Sequence, residues 1–280
     1  MRALVLSGGG AKGCFQVGAL DYLINTKNLS FDLICGVSVG ALNGAMIAQS
    51  DFELLKQVWL NITSARDTYR KRWGFILGIG HILGALLGKD SLYDNTPLKN
   101  LIDRYIDQAK IISSGRRLRV GAVSLYDGAI HSIPESHPNL KMAILASTAI
   151  PLAFSPINIS DDLMSMVDGG VRDVTPLKEA IDLGADEIYV ILCSPSELKK
   201  TKRDYANSLE IVLRTLDILT NEIYRNDIRT CLRYNSRPDK RTIDLKIIQP
   251  QVEVCDTLEF KPDVLRAGMK MGYQRAQSVL

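Results

Sequence analysis

The chain has 280 residues, enough for one large α/β domain or two small ones with a sizeable core. Its 46% hydrophobic and 23% charged residues exclude a disordered chain and an integral membrane bundle, and a net charge of +3 gives no reason to expect nucleic acid. Five scattered cysteines (Cys14, Cys35, Cys193, Cys231 and Cys255) form no CxxC pair, so buried free thiols in a reducing compartment are expected, with a cytoplasmic location as the default.

Met1 to Ser7 runs straight into a strand, Ala3 to Leu6, so no signal peptide is expected. The strand opens into Gly8-Gly9-Gly10-Ala11-Lys12-Gly13, and a helix from about Phe15 to Leu23 follows, with Phe15, Ala19, Leu20 and Leu23 on one face. Strand, glycine loop, helix is an anion cradle, because backbone N–H groups converge at a helix N-terminus. Three chemistries compete for it. Gly8, Gly10 and Gly13 fit G-x-G-x-x-G, but the acid expected at the end of the next strand is missing, since Asp32 lies at the wrong end. A phosphate loop wants Lys and Ser/Thr where Phe15 and Gln16 stand. An oxyanion hole needs two amides aimed at one point, and its place one βα unit ahead of a candidate nucleophile favours it. Lys12 is either a cation beside that site or a solvated loop lysine.

Leu33 to Cys35 reads as a buried strand and Ala41 to Ala48 as a tightly packed small-residue helix. Between them, Gly36-Val37-Ser38-Val39-Gly40 fits the G-x-S-x-G nucleophile elbow. Side chains at Gly36 and Gly40 would collide with the neighbouring elements, and the turn leaves Ser38 proud of the sheet at a helix N-terminus. A glycine-rich strand-to-helix turn without chemistry is the plainer alternative.

Residues 51–117 read as an insertion: a helix over Phe52 to Ile62, the basic stretch Arg66 to Arg72, and a broken apolar run from Trp73 to Gly88. That run has sixteen residues and five glycines, too short for a transmembrane helix, which needs about 20. Residues 66–88 therefore suggest either an interfacial segment at a lipid surface or a cap packed on the protein. A helix is expected within Ser91 to Ile106, capped by Asp94 or Asn95 ahead of Pro97.

Leu118 to Leu125 and Ala129 to Ile133 read as a hairpin, Asn139 to Ser147 as an apolar helix, and Met164 to Val167 as a strand ending on Asp168-Gly169-Gly170. An acid at the C-terminal end of a strand is where open α/β sheets carry catalytic groups, and a turn-forming Asp-Gly is the alternative. Glu187 to Cys193 and Ile243 to Ile248 suggest further strands, Leu209 to Tyr234 a long helix, and Pro262 to Leu280 a closing one. With no repeat or low-complexity linker, residues 1–280 are read as one domain.

A Ser-His-Asp triad requires a histidine, and the chain has three, His81, His131 and His137. The α/β-hydrolase order places histidine last, and several strands before its elbow; neither holds here. Asp168 could instead take the serine proton directly, if partial desolvation raises its pKa.

In this order, the Gly8–Gly13 loop, the Gly36–Gly40 elbow and Asp168-Gly169-Gly170 resemble the three signatures of the patatin-like phospholipases. Ala146 to Pro151, Ser91 to Asp94 and Gly272-Tyr273 are similar to that family as well, so the likeness spans the chain. The resemblance implies a three-layer αβα sandwich with a mostly parallel central sheet, related to the catalytic domain of cytosolic phospholipase A2. It implies Ser38 as nucleophile, Asp168 as general base, Gly8, Gly9 and Gly10 as oxyanion hole, and Lys12 as the nearby cation where many members carry arginine. Gly13, Gly36, Gly40, Gly169 and Gly170 are the motif glycines. The implied reaction is hydrolysis of acyl esters of a phospholipid or lysophospholipid through an acyl-enzyme, with no metal or other cofactor, at a peripheral membrane surface. Acyl transfer to an alcohol, or a lipid-sensing module gated by a ligand, are the alternatives.

Overall fold

A computed structural model describes residues 1–71, 91–197, 208–235 and 242–280. The run from Trp73 to Gly88, with His81, lies outside these residues.

Nine strands are described: β1 (Arg2–Leu6), β2 (Leu33–Val37), β3 (Arg70–Lys71), β4 (Tyr93–Asp94), β5 (Arg117–Ser124), β6 (Ile130–Pro134), β7 (Met166–Asp168), β8 (Glu187–Ile191) and β9 (Asp244–Ile248). The main sheet has the order β6-β5-β2-β1-β8-β9. From β5 to β9 all neighbours are parallel, and β6 closes one edge antiparallel to β5. The β7 strand also pairs antiparallel with β5, beyond the point where β2 stops.

The described helices are α1 (Gly13–Asp21), α2 (Val39–Ala48), α3 (Phe52–Leu60), α4 (Thr96–Tyr105), α5 (Gln108–Ser113), α6 (Leu140–Ser147), α7 (Leu177–Asp182), α8 (Ser208–Asn235) and α9 (Pro262–Val279). They cover both faces of the sheet, which is why the central strands are continuously apolar rather than alternating. Leu4, Leu6, Ile34 and Leu118 pack with α1, α2, α6 and α9; Ala3, Val5, Leu33 and Cys35 pack against α7, Ile228 and Tyr234. This is the expected three-layer αβα sandwich on a mostly parallel sheet. Among the described residues no helix is long and apolar enough to cross a membrane. Cys14, Cys35, Cys193 and Cys255 are buried free thiols, as expected.

Local detail sharpens or corrects these expectations at three places. The first helix does not have one buried face: every residue from Gly13 to Leu20 is buried, because α9 covers the side turned from the sheet. The two helices touch backbone to backbone, so a Cβ on Gly18 would stand 1.7 Å from the Met269 carbonyl oxygen, and one on Gly272 1.9 Å from that of Phe15. The helix expected within Ser91 to Ile106 runs from Thr96 to Tyr105 with Asn95 as its N-cap, one of the two caps expected, and the residues before it, Tyr93-Asp94, are tied to Arg70-Lys71 as a strand. There the Asp94 carboxylate accepts from the Thr96 N–H (3.0 Å) and hydroxyl (2.6 Å). The strand before Gly169 includes Asp168 and starts at Met166.

Candidate active site

Ser38 follows β2 directly and precedes α2, at φ 56° and ψ −126°. That backbone conformation is costly for a residue with a side chain and is held only where the surroundings over-determine it. They do so here: a Cβ on Gly36 would meet the Gly40 carbonyl at 2.3 Å, and one on Gly40 the Leu6 carbonyl at 2.2 Å. The Ser38 N–H donates to Ser147 Oγ (2.8 Å), and that hydroxyl donates to the Gly121 carbonyl (2.6 Å). Ser147, at the end of α6, thus ties the elbow to β5.

Asp168 reaches the same place from the other side. Val37 pairs with Gly121 and Asp168 with Ala122, so the two candidate groups leave the sheet at adjacent rungs of β5. Gly169 must be small because its Cβ would stand 2.5 Å from the Gly121 carbonyl, and the Gly170 N–H donates to Asp168 Oδ1 at 2.8 Å. Ser38 and Asp168 are 5% and 6% exposed. Burial pushes the Asp168 carboxyl up to about 6, against the lowering effect of hydrogen bonds from Ser38 and the Gly170 N–H.

The glycine loop lies beside Ser38, with 3.3 Å between a Cβ built on Gly8 and that of Ser38. Its amides are not equivalent. The Gly8 N–H donates to the Val174 carbonyl (3.0 Å), so it is spent within the protein, whereas among the described residues the Gly9 and Gly10 N–H groups have no acceptor. Of the three glycines named for the oxyanion hole, Gly8 is therefore not an available donor. Gly10 sits at φ 57°, and a Cβ there would stand 2.2 Å from the Thr257 carbonyl, which also accepts the Ala11 N–H. Gly13 opens α1 directly against Val39. Lys12 is buried, its ammonium 3.9 Å from Glu253 Oε1, so the solvated reading is overturned.

Two cavities meet at Ser38, sharing Gly10 and Ile150. One, with about 750 Å³ of empty space partly open to solvent, has a mixed lining that includes Lys12, Asp168, Thr175, Ser194 and Asn221. The other, about 900 Å³ and also partly open, is almost wholly apolar, with Leu42, Met46, Trp59, Leu101 and Phe260 in its wall. Neither contains His131 or His137: His131 Nε2 lies 3.4 Å from Asp127 Oδ2, and His137 Nδ1 accepts the Asn139 N–H. Among the described residues no group of three His, Cys, Asp or Glu side chains is placed to hold a metal ion. Val174 and Thr257 shape the site without having been singled out in the sequence, and Ser147 enters there only as the end of a helix and within the Ala146 to Pro151 segment, with no role. Only Ser147 carried a signal, as a lone hydroxyl closing an apolar helix.

A mostly parallel αβα sheet whose second strand ends on a strained serine beside a desolvated carboxylate defines an α/β protein of the nucleophile-elbow class. The chain belongs to the patatin-like phospholipase family, whose model matches residues 4–181. It is 30% identical over 199 residues to the uncharacterized protein YjjU of Escherichia coli K12, covering 71% of this chain and 54% of that one. It is 25% identical over 224 residues to a cGAMP-activated phospholipase of E. coli strain TW11681, covering 68% and 61%. Against the lysophospholipase nte1 of Aspergillus terreus it is 23% identical over 291 residues, covering 96% and 18%. The chain thus spans between about half and two thirds of the length of the first two relatives.

Proposed function

We propose that the protein hydrolyses acyl esters of a phospholipid or lysophospholipid through an acyl-enzyme on Ser38. The observation that carries this reading is the meeting of an apolar cavity and a mixed one at a single serine. An ester of a fatty acid and a polar alcohol needs that division: the acyl chain enters the apolar cavity, and the alcohol side lies in the mixed one near Lys12.

Ser38 Oγ attacks the ester carbonyl carbon while Asp168 takes its proton, and the Gly9 and Gly10 amides stabilise the oxyanion. Collapse of the tetrahedral intermediate expels the alcohol, which takes the proton from Asp168. Water, deprotonated by Asp168, then attacks the acyl-enzyme and releases the fatty acid and Ser38. A carboxylate with an ordinary pKa is a weak base, so the raised value of Asp168 supports its part.

Lipid substrates reside in bilayers, and exposed apolar residues occur at one cavity lining and on the loops that follow β5 and precede β7. Val171 lines the mixed cavity and is 40% exposed, and Leu152 follows cavity-lining Pro151. Leu125 and Tyr126, 58% and 93% exposed, adjoin Met164 through the hydrogen bond from the Leu125 N–H to the Ser165 carbonyl. With exposed Arg66, Arg70 and Lys71 they favour peripheral contact of the protein with a membrane. The function is tested by incubating purified protein with lysophospholipid and diacyl phospholipid vesicles and measuring released fatty acid. Release by the wild type and its loss in Ser38→Ala is expected; equal release by both would refute the reading.

A further inference from the structure

Behind the glycine loop, three side chains, Trp59, Asn43 and Gln16, form one chain of hydrogen bonds that ends on the Ser7 backbone carbonyl and that the proposed reaction does not use. The Trp59 indole N–H donates to Asn43 Oδ1 (2.9 Å). Asn43 Nδ2 donates to Gln16 Oε1 (2.9 Å) and to the Gly13 carbonyl (3.3 Å). Gln16 Nε2 donates to the Ser7 carbonyl (2.8 Å) and the Ile191 carbonyl (3.4 Å). Ser7 Oγ donates to the Gly8 carbonyl (3.0 Å) and accepts the Cys193 N–H (2.9 Å).

Gln16 and Asn43 are wholly buried, where an amide group left without a partner is costly. The chain can be assembled in one sense only. An indole N–H is a donor and nothing else, so Asn43 must turn its oxygen to Trp59 and its nitrogen to Gln16, which in turn must present nitrogen to Ser7. Trp59 at one end and the Ser7 carbonyl at the other therefore demand the same orientation of both amides.

The two ends touch different parts of the site. Trp59 and Asn43 line the apolar cavity. At the other end lie the rigid peptide planes of the loop. The Ser7–Gly8 plane is gripped twice, by Gln16 at its carbonyl and by Val174 at its N–H. The next plane is gripped at the Gly8 carbonyl by Ser7 Oγ, and that plane carries the Gly9 N–H. In three successive glycines no side chain restrains these planes, so hydrogen bonds must.

We propose that Gln16 and Asn43 are positioning residues that tie the Ser7–Gly10 loop to Trp59, so that an acyl chain filling the apolar cavity steadies the loop for turnover. This rests on the reading of that cavity as the acyl site. A filled cavity packs Trp59 in place, the indole holds Asn43, and the amide chain passes the restraint to the Ser7–Gly8 plane, which adjoins the plane that bears the Gly9 N–H. A short acyl group leaves the indole uncontacted and the loop freer. Turnover thereby senses acyl length through kcat and not only through binding.

The test reads the loop directly. Hydrogen exchange is followed by mass spectrometry in the peptide over Ser7–Lys12, whose Ser7, Gly8, Ala11 and Lys12 amides are hydrogen bonded, with and without decanoate. It is run on the wild type and on Gln16→Met, which keeps the side-chain length, loses the bond to Ser7 and lies outside the apolar cavity. Decanoate should slow exchange by roughly fivefold or more in the wild type and have little effect in the variant. In parallel, the ratio of kcat for decanoyl and acetyl p-nitrophenyl esters should fall by about fivefold or more in the variant, with KM for the decanoyl ester little changed. Should Gln16→Met fail to fold, Trp59→Phe, which removes the indole N–H but also changes the cavity wall, makes the hydrogen-exchange comparison alone, at saturating decanoate. Equal slowing in wild type and folded variant, or none in the wild type, overturns the proposal. A decanoate effect lost in the variant, in a protein that turns over neither ester, supports the coupling while refuting the hydrolase reading.

Discussion

Ser38 and Asp168 take their positions from neighbouring residues of one strand: Val37, just before the serine, pairs with Gly121, and Asp168 pairs with Ala122. The parallel strand β2 stops where the antiparallel strand β7 begins, along the same edge of β5. Their spacing is therefore set by the backbone lattice of the sheet and not by long side chains reaching toward each other. Short, rigid side chains on a fixed lattice suit a two-residue device, because little conformational freedom remains to be lost when substrate binds.

The raised pKa of Asp168 gives a prediction for rate and one for stability. Turnover of a soluble ester should rise with pH as the carboxyl ionises near 6 and level off above. For stability, the folded value of about 6 lies above the ordinary 3.8, so the folded state holds the proton more tightly. The favourable contribution is complete below about 3.8 and lost as pH rises through about 6. Asp168→Asn should then melt higher than the wild type at about pH 8, by the equivalent of up to roughly 3 kcal/mol, with the gain vanishing near pH 3.5. A gain independent of pH would contradict the burial of an ionised Asp168.

Ser147→Ala removes the acceptor of the Ser38 N–H, and a donor from the Gly121 carbonyl. With a buried N–H unsatisfied, stability should fall by about 1–3 kcal/mol. The elbow should also lose its registration, lowering kcat by roughly ten- to a hundredfold with KM little changed. Steady-state kinetics with a thermal melt checks both, and an unaltered kcat would show that the elbow holds itself.

Much of this site was legible in the chain because glycine marks contacts that tolerate no side chain. Gly36, Gly40 and Gly169 each face a carbonyl oxygen within 2.5 Å of where a Cβ would be, so the glycine spacing marked Ser38 and Asp168 as candidates, and the family resemblance supplied their expected roles. What stayed hidden depends on partners far along the chain. Which loop amides are free is decided by Val174, which takes the Gly8 N–H. The burial of Lys12 depends on residues around Glu253, and the all-round burial of α1 on α9, which closes over it from the C-terminal end of the chain. Periodicity reports a buried face only when one side is covered.

Leu42 stands one turn along α2 from Ser38 and lines the apolar cavity. Leu42→Trp should shorten the accepted chain. Specificity constants for decanoyl and longer esters should drop by tenfold or more, the gap expected of several methylenes at about 0.8 kcal/mol each, while acetyl and butyryl esters keep theirs. A uniform loss across chain lengths would argue that the acyl group lies elsewhere.

The exposed apolar residues after β5 separate interfacial from soluble work. Leu125→Asp with Tyr126→Asp should weaken binding to sedimented anionic vesicles and slow turnover of vesicle-borne lipid by about tenfold, because buried apolar contacts are replaced by charges that anionic headgroups repel. Turnover of a monomeric ester should not change. Equal effects on both substrates would mean that the hairpin contributes to the site itself and not to a surface.

The central claim is that Ser38 is a nucleophile activated by Asp168, and covalent labelling tests it most directly. Fluorophosphonate adducts are located by peptide mass spectrometry in the wild type, Ser38→Ala and Asp168→Asn, each shown to be folded by circular dichroism. The account predicts one adduct, on Ser38, absent from Ser38→Ala and formed at least about a hundredfold more slowly in Asp168→Asn. An adduct that persists in Ser38→Ala, or forms at the wild-type rate in Asp168→Asn, would contradict it.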